Sequence, residues 1–325
     1  MIKLSVIIPT YNRAKSLKRC LDSLCSQSNK EFEVIIVDGG STDDTNKVLD
    51  LFKEKLKLKK IVFKELELAK ARNLGWRKAK GKYVSWIDDD VVTSAKWVET
   101  IIETFEINTE VGGVSGPTII PAKLLSKRDV FFFYQQNGVR KILGNIWCKL
   151  FLNGEQTTVG KIFPSGAWSP GSNFETCLKF KGMVEVDYLE ACNMTIRKSL
   201  VEKVGGFDLG YKKTADWCEP DLAMRVRKLG YRLVFTAKAR VDHLVSQQGA
   251  YTQRPNAKER MENFMKFYFT HIFKLHFHYI FSFILYVAFL DVYWLYKAIQ
   301  ERNVLWLGGL LGTVTSFSKT LLRKL

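Results

Sequence analysis

The sequence lacks several features that would assign it to a common class. Its six cysteines form no Cys-x-x-Cys pair, and several fall on apolar helix or strand positions, so we interpret them as reduced thiols in the core. Internal repeats and low-complexity tracts are absent. Met1-Ile2-Lys3 leads directly into a strand-like segment without the pattern of a secretion signal, so we expect the bulk of the chain to be cytosolic.

Acidic residues are scarce relative to basic ones. The 325 residues include 50 lysines and arginines but 33 aspartates and glutamates, a net charge of +17. This balance favours polyanions such as nucleic acid, an anionic membrane surface or a phosphorylated substrate. The basic residues are dispersed and no recognised nucleic-acid-binding motif occurs, so nucleic acid is not an expected partner. The 46% apolar content is that of an ordinary globular protein and argues against disorder.

Strand and helix patterns alternate through the N-terminal part of the chain. The predicted strands are 4–8, 32–37, 61–63, 83–88, 184–187 and 232–235. The predicted helices are 17–25, one that a capping box at Ser41-Thr42-Asp43-Asp44 opens and that runs to about residue 57, 69–79, a segment from about 94, and one with Pro220 at its first position. Such alternation predicts a parallel sheet covered on both faces. Residues 121–182 have no clean period and are equally consistent with a surface excursion, a cover over a site or a membrane contact.

The C-terminal part is strongly apolar. Residues 279–296 are interrupted only by Ser282 and Asp291, and a helix over 276–298 would reach across a bilayer core of about 30 Å. Asp291 would cost about 2.5 to 3.5 kcal/mol at mid-bilayer, so we expect it near an interface or facing a partner. Residues 304–317 are too short to span comfortably and could close a helical hairpin or lie re-entrant. Flanking basic residues favour a cytoplasmic position for both outer ends, and a soluble helix pair is the alternative.

Three consecutive carboxylates, Asp88, Asp89 and Asp90, follow the predicted buried strand 83–88. Carboxylates repel one another, so the triplet is tolerable only if it is solvated or holds a cation. The carboxyl end of a strand is where open α/β sheets bind ligands. The triplet therefore indicates a metal site, with a charged helix-capping turn as the alternative.

The triplet is one of a series of ordered motifs. The others are Ser-Val-Ile-Ile-Pro-Thr-Tyr-Asn-Arg at 5–13, Val-Asp-Gly-Gly-Ser-Thr-Asp-Asp-Thr at 37–45, Ala-Arg-Asn-Leu-Gly at 71–75, Val-Gly-Gly-Phe-Asp at 204–208 and Glu-Pro-Asp-Leu-Ala-Met-Arg at 219–225. Together they resemble the inverting family-2 glycosyltransferases with a GT-A fold, over roughly residues 3–245. The resemblance implies an α/β, Rossmann-like mixed sheet flanked by helices, followed by a C-terminal apolar helical hairpin.

The same resemblance implies a division of the chain and a set of donor-side residues. We expect a catalytic domain at 1–260, with a nucleotide-binding half at about 1–120 and an acceptor half at 121–260, and membrane-associated helices at 261–325. The candidates for binding the nucleotide sugar are Pro9, Tyr11, Asp38, Arg72, Asn73, Asp88 and Asp89. Asp38 is an acceptor-only carboxylate that suits a ring N–H of uracil or guanine, and a turn-capping aspartate is the alternative.

The resemblance also implies a divalent cation, Mg²⁺ or Mn²⁺. Asp88 and Asp90 match the DxD motif, with Asp90 as the direct ligand and Asp88 nearer the ribose and the metal waters. His243 stands where related enzymes place a further ligand, although a lone histidine is more often structural. Such a cation bridges the donor diphosphate and neutralises the charge that develops on the leaving group.

Inversion requires a carboxylate base that removes a proton from the attacking hydroxyl. Glu219 and Asp221 lie at a predicted helix start, where backbone N–H groups favour ionised carboxylates. We assign Glu219 as the base and Asp221 as donor-site or structural support, with helix capping as the alternative. The acceptor-side candidates are Asn193 and Trp217, with Arg260 and Asn263 as weaker candidates for a phosphate on a lipid acceptor.

These expectations define one leading function and two alternatives. The leading function is transfer of a sugar from a nucleoside-diphosphate sugar to a lipid-linked, polyprenyl-phosphate type or other envelope glycan acceptor. The reaction would take place at the cytoplasmic face of the cell membrane. The alternatives are a polyprenyl-phosphate monosaccharide synthase and an inactive, glycosyltransferase-like membrane-binding module. The oligomeric state stays open.

Overall fold

The computed structural model describes residues 1–121, 123, 138–155, 158–211, 215–246 and 256–322. Its strands are β1 (Leu4–Thr10), β2 (Phe32–Asp38), β3 (Leu58–Val62), β4 (Tyr83–Trp86), β5 (Val91–Thr93), β6 (Val111–Ser115), β7 (Thr118–Ile119), β8 (Val159–Ile162), β9 (Trp168–Pro170), β10 (Met183–Glu185), β11 (Met194–Arg197), β12 (Arg232–Thr236) and β13 (Val241–His243). Its α-helices are α1 (Ala14–Cys25), α2 (Thr45–Asp50), α3 (Leu68–Arg77), α4 (Trp97–Ile107), α5 (Val139–Phe151), α6 (Lys198–Lys203), α7 (Cys218–Arg227), α8 (Ala257–His271), α9 (Phe277–Gln300) and α10 (Gly308–Leu322).

An eight-stranded mixed sheet forms the centre, in the order β10-β12-β6-β11-β4-β1-β2-β3. β1 to β4 pair in parallel, whereas β11 runs antiparallel to both β4 and β6. Consecutive residues of β1 alternate between two cores, because Val6 packs with α1 and α4 on one face and Ile7 packs with α3 and α7 on the other. The predicted parallel arrangement with helices on both faces is confirmed for β1 to β4, within a sheet that is mixed overall.

A glycine sets the distance between α3 and the sheet. A Cβ added at Gly75 would lie 2.4 Å from the side chain of Ile7, closer than any real contact. The glycine of the Ala-Arg-Asn-Leu-Gly motif therefore lets α3 lie directly on β1. This close approach brings Arg72, one turn earlier on α3, to the carboxyl end of the strands.

The boundaries of two predicted helices differ from the structure. α2 begins at Thr45 and ends at Asp50, whereas the sequence predicted a helix to about residue 57. Asp43, and not Ser41, accepts the N–H of Thr45 at 3.1 Å, since its carboxylate is nearer to the first turn. Pro220 is the third residue of α7 and not its first, a position that is tolerated because the N–H groups of a first helical turn have no intrahelical partner.

A separate three-stranded sheet joins distant parts of the chain, in the order β5-β13-β7. His243 at the end of β13 pairs with Val91 at the start of β5. Since Val91 follows Asp90 directly, this pairing brings His243 beside the aspartate triplet. The sheet thus assembles residues that are far apart in sequence.

The C-terminal helices α8, α9 and α10 pack on the preceding part of the chain and on one another. α10 lies against α8, where a Cβ added at Gly312 would be 2.6 Å from the carbonyl oxygen of Lys258. Asp291 on α9 accepts a hydrogen bond of 2.8 Å from the hydroxyl of Thr313 on α10, so it faces a partner as predicted. By length and composition, α9 could cross a membrane. The aromatic segment 131–134 lies outside the described residues.

Candidate active site

A cavity of about 430 Å³ opens at the carboxyl ends of β1, β2 and β4. Its strand side includes Pro9, Tyr11 and Asp88, and its opposite side includes Glu219 and His243. The parallel strands end at a common edge, so residues that follow them meet there. The cavity therefore contains both the aspartate segment and the proposed base.

Arg72 lies at the centre of this cavity wall and is 1% exposed. Its Nη1 donates to Oε1 of Glu219, and its Nη2 lies 3.6 Å from Oδ1 of Asp88. Although burial opposes its charge, the carboxylates of Glu219 and Asp88 raise the pKa of Arg72. One permanent guanidinium cation therefore connects the two predicted acidic motifs. Sequence reasoning assigned Arg72 to the nucleotide, but its link to Glu219 was not foreseen.

Asp88 and His243 approach each other through Cys192. The thiol of Cys192 donates to Oδ2 of Asp88 at 3.1 Å, and its sulfur lies 3.8 Å from Nδ1 of His243. Burial and the neighbouring carboxylates raise the pKa of the Cys192 thiol, which keeps it protonated as a donor. Cys192 lines the cavity and was not predicted as a site residue, although it adjoins the motif residue Asn193.

Asp90 is suited to hold a cation with His243. Its Oδ2 accepts the N–H of Ser246 at 2.7 Å, whereas its Oδ1 is buried and has no aligned hydrogen bond from the described residues. This oxygen lies 3.2 Å from Nε2 of His243. Although burial opposes ionisation, His243 helps lower the pKa of Asp90 to about 2. An ionised oxygen beside an imidazole nitrogen fits Mg²⁺ or Mn²⁺.

Asp89 is turned toward the loop that follows β1. Its oxygens accept hydrogen bonds from Thr10 Oγ1 at 2.6 Å and from Arg13 Nη1 at 2.8 Å. Burial raises the pKa of Asp89 to about 7, despite the opposing charge of Arg13. Asp89 lies at the cavity lining. Its two hydrogen bonds fix the loop that follows β1.

Asp38 and Asn73 lie behind the lining and are satisfied by the protein. Oδ1 of Asp38 accepts from the N–H and hydroxyl of Ser41 at 2.9 and 2.6 Å, and Oδ2 pairs with Lys60 at 2.8 Å. Burial opposes ionisation, but these donors lower the pKa of Asp38. The amide of Asn73 donates to the carbonyl of Phe207 and accepts its N–H. Both arrangements fix loops, and contact with a nucleotide stays a prediction for both residues.

Asn193 and Asp221 also lie outside the lining. The amide of Asn193 donates to the carbonyl of Ala239 at 2.7 Å. Oδ1 of Asp221 lies 2.8 Å from Nε2 of His271, and Oδ2 accepts from Nε of Arg225 at 2.9 Å. With its oxygens engaged in this way, Asp221 joins α7 to α8, which corresponds to the structural support considered from the sequence. An acceptor-side role for Asn193 stays a prediction.

Glu219 and Trp217 face the cavity from the start of α7. Trp217 adopts a left-handed backbone with φ of 75°, which costs on the order of 1 to 3 kcal/mol for a bulky residue. Its ring stacks on Phe267 at 4.8 Å and meets Trp168 edge-on at 5.3 Å. These contacts hold the strained turn, so Trp217 and the carboxylate of Glu219 are presented together.

Glu190 is a further carboxyl group of the cavity lining that the sequence analysis did not select. It accepts hydrogen bonds from Ser172 Oγ and, at 3.1 Å, from Tyr188 Oη. Burial raises the pKa of Glu190, against the effect of those donors. One signal in the sequence could have found it. Glu190 lies three residues before Asn193, which was selected as an acceptor-side candidate.

The far end of the cavity is apolar and is formed by the C-terminal helices. The residues that line it are Met261 and Phe264 of α8 with Tyr286, Leu290 and Trp294 of α9. Arg260 stands at its edge, with Nε 3.5 Å from Oδ2 of Asp216 and its guanidinium 5.7 Å from the Trp294 ring. Asn263 is buried outside the lining. The cavity thus runs from a charged centre to an apolar end.

Comparison with solved structures identifies the fold. Staphylococcus aureus TarS 1–349, solved in complex with UDP-GlcNAc, aligns with a TM-score of 0.58 at 16% identity, covering 97% of this chain and 81% of that chain. The mannosyltransferase PcManGT from Pyrobaculum calidifontis, solved with GDP-Man and Mn²⁺, aligns with a TM-score of 0.55 at 18% identity, covering 97% and 87%. At these identities the similarity establishes the GT-A-type fold.

Sequence comparison relates the chain to known glycosyltransferases. The model of glycosyl transferase family 2 matches residues 5–150. The chondroitin synthase of Escherichia coli is 37% identical over 111 residues, 33% of this chain and 16% of that protein. The chondroitin synthase of Pasteurella multocida is 27% identical over 283 residues, 79% of this chain and 25% of that protein. This chain therefore spans a quarter or less of those relatives. The N-terminal part of the chain, residues 5–150, is thus similar in sequence to glycosyl transferase family 2, and the whole described fold is similar to that of solved GT-A-type transferases.

Proposed function

We propose that the protein is a metal-dependent, inverting glycosyltransferase that uses a nucleoside-diphosphate sugar and acts at the cytoplasmic face of a membrane. The observation that carries this proposal is the shared guanidinium of Arg72, which contacts Asp88 on one side and Glu219 on the other within one cavity. Donor activation and acceptor deprotonation need such closeness, because both act on the same anomeric carbon.

The strand side of the cavity suits the donor. Pro9, Tyr11, Gly39 and Phe63 form a surface on which a flat base could lie, and Arg72 offers positive charge toward the diphosphate. Asp90 and His243 would hold a divalent cation, which supplies electrophilic assistance to departure of the nucleoside diphosphate. The relatives solved with UDP-GlcNAc and GDP-Man differ in base and sugar, so the proposal names the donor class and no single donor.

Glu219 would act on the acceptor. Its carboxylate would take the proton of the attacking hydroxyl while that oxygen forms its bond to the anomeric carbon, on the face opposite the departing diphosphate. Arg72 orients the carboxylate of Glu219 through their ion pair, and it would release that carboxylate toward an arriving hydroxyl. The hydrogen bonds around Asp221 leave that residue less suited to this step, which favours Glu219 as the base.

The apolar end of the cavity favours a lipid-linked acceptor. A polyprenyl-phosphate or other lipid-linked glycan carries hydrocarbon next to phosphate, and this end combines apolar side chains with the guanidinium of Arg260. A synthase that charges the lipid monophosphate with one sugar remains the second candidate, since it would use the same chemistry. Lipid extracts incubated with labelled donor separate the two by the size of the labelled product.

A membrane location is supported by the outer surface of α9. Exposed apolar side chains recur every three or four residues along it, namely Phe277, Phe281, Ile284, Ala288, Val292, Leu295 and Ile299. The opposite side of α9, with Tyr286 and Leu290, is buried against the body. A helix that is apolar on both sides needs a second apolar partner, and the positive net charge of the chain suits an anionic bilayer.

The proposal is tested with the purified full chain in detergent, a panel of UDP and GDP sugars, and release of nucleoside diphosphate as the readout. We expect activity to need Mg²⁺ or Mn²⁺ and to be lost on chelation. Glu219→Gln should lower kcat by about 10² to 10⁴ while changing donor affinity by less than about threefold.

The matched control is Glu202→Gln, because Glu202 is an exposed glutamate on α6, outside the cavity lining. It should leave kcat unchanged. Retained turnover in Glu219→Gln would remove that residue as the base. Absence of donor binding by calorimetry in the presence of Mn²⁺ would favour the inactive membrane-binding module instead.

A further inference from the structure

The imidazole of His243 has different chemistry at its two nitrogens. Nε2 lies 3.2 Å from a carboxylate oxygen of Asp90, and Nδ1 lies 3.8 Å from the sulfur of Cys192. The two nitrogens lie on different edges of the ring, so each of them can bind a different cation. The Asp90 side offers hard oxygen ligands, and the Cys192 side adds a soft sulfur ligand.

The spacing on the Cys192 side matches that of a zinc site. The sulfur of Cys192 lies 3.1 Å from Oδ2 of Asp88, and one ligand atom each from Asp88, Cys192 and His243 all lie within 4.8 Å of one another. Tetrahedral zinc with bonds of about 2.0 to 2.3 Å separates its ligand atoms by about 3.3 to 3.8 Å. Small side-chain rotations therefore suffice for all three to bind one ion.

The surroundings leave room for a fourth ligand. Asp88, Cys192 and His243 all line the cavity, so a water molecule or a substrate oxygen could complete the tetrahedron. Three protein ligands with one open position are typical of zinc sites that exchange ligands, whereas closed structural sites use four protein ligands.

We infer that Asp88, Cys192 and Nδ1 of His243 form a binding site for Zn²⁺ or a similar thiophilic divalent cation, distinct from the position beside Asp90. On binding, a bond forms between the metal and the Cys192 sulfur, and the thiol proton leaves to solvent. A zinc ion held there would engage Asp88 and fix the ring of His243, whose Nε2 the donor-side cation needs. If the proposed function holds, Zn²⁺ therefore inhibits the sugar transfer that Mn²⁺ or Mg²⁺ supports.

The binding test uses Co²⁺ alone as a spectroscopic probe on chelator-treated full-length protein, without donor or acceptor. Wild-type protein should show a sulfur-to-cobalt charge-transfer band that saturates at one ion per chain and is displaced by Zn²⁺. Cys192→Ser should lose this band, and its zinc affinity, measured against a competing chelator, should fall on the order of 100-fold or more.

The control variant is Cys25→Ser, since Cys25 is a partly exposed thiol on α1 away from the cavity. It should keep both the band and the affinity. A second measurement needs no variant: Zn²⁺ should protect Cys192 of the wild-type protein from alkylation, as read by mass spectrometry. Mg²⁺ at the same concentration should give no protection.

Two results would overturn the inference. One is wild-type protein without a cobalt–thiolate band, and the other is equal alkylation of Cys192 with and without Zn²⁺. Failure of the proposed function is distinguishable, because it would appear as missing transfer activity while the band and the protection persist. Zinc binding without inhibition would retain the site and remove only its effect on transfer.

Discussion

Replacing Arg72 with methionine tests the central charge arrangement of the site. Arg72 is 1% exposed and Glu219 is 6% exposed, so water screens their contact poorly. Methionine matches much of the length of the arginine side chain but carries no charge. The Arg72→Met variant therefore leaves Glu219 and Asp88 without their shared cation and without a large change in packing.

The magnitude follows from the cost of breaking a buried ion pair. Removal of one partner of such a pair typically costs about 3 to 5 kcal/mol. For a domain of about 200 residues, each kcal/mol lowers the melting temperature by about 2 to 4 °C. We therefore expect the melting temperature of Arg72→Met to fall by about 6 to 20 °C at pH 8.

The double variant Arg72→Met/Glu219→Gln separates charge from packing. Once Glu219 is neutral, the uncompensated charge is smaller, so about half of the lost stability should return.

The assay is thermal unfolding followed by tryptophan fluorescence at pH 8, for wild type, both single variants and the double variant. A melting temperature of Arg72→Met within about 2 °C of wild type would refute the reasoning. A double variant no more stable than Arg72→Met would show that the loss comes from packing and not from charge.

Two further predictions concern pH and the membrane. Because burial raises the pKa of Asp89 from 3.8 to about 7, the folded state holds a proton that the unfolded chain releases, so wild-type stability should fall as pH rises from about 4 to 7. Asp89→Asn should flatten this slope in melting curves, and an unchanged slope would contradict the assignment. Ile284→Glu on the outer side of α9 should weaken flotation with anionic phosphatidylglycerol vesicles by about tenfold or more, whereas Ile107→Glu, at an exposed isoleucine of α4, should not. Equal loss in both variants would remove α9 as the contact.

The fold could be predicted from the sequence wherever a pattern is local. The apolar run at 4–8 and the spacing of Trp97, Ile101 and Phe105 became β1 and the buried side of α4. α5 was missed, because its exposed side carries apolar residues such as Ile142 and Ile146 and so lacks the polar side that marks a surface helix. The pairing of β5 with β13 depends on contacts that no local pattern encodes.

The site was predictable at the level of motifs but not of side-chain directions. Asp88, His243 and Glu219 were selected, and all three line the cavity. Asp38 and Asn193 were selected from the same kind of resemblance, yet their polar atoms bind Ser41 and Ala239. Tertiary packing decides which partner a buried polar group finds. A motif therefore identifies the region of the site. It does not distinguish a residue that would contact substrate from one that fixes an adjacent loop.

The C-terminal helices show how closely the predicted membrane part and the catalytic part are joined. Tyr286 and Leu290 of α9 line the cavity, and His271 of α8 contacts Asp221 of α7, the helix that carries the proposed base. A helix that forms a cavity wall cannot also be surrounded by lipid, so only the outer side of α9 is free to meet a bilayer. With a helix diameter of about 10 Å, the apolar end of the cavity would then lie one helix away from the lipid. Under the proposed function, this arrangement would bring a lipid-borne acceptor within reach of Glu219 without requiring α9 to span the membrane.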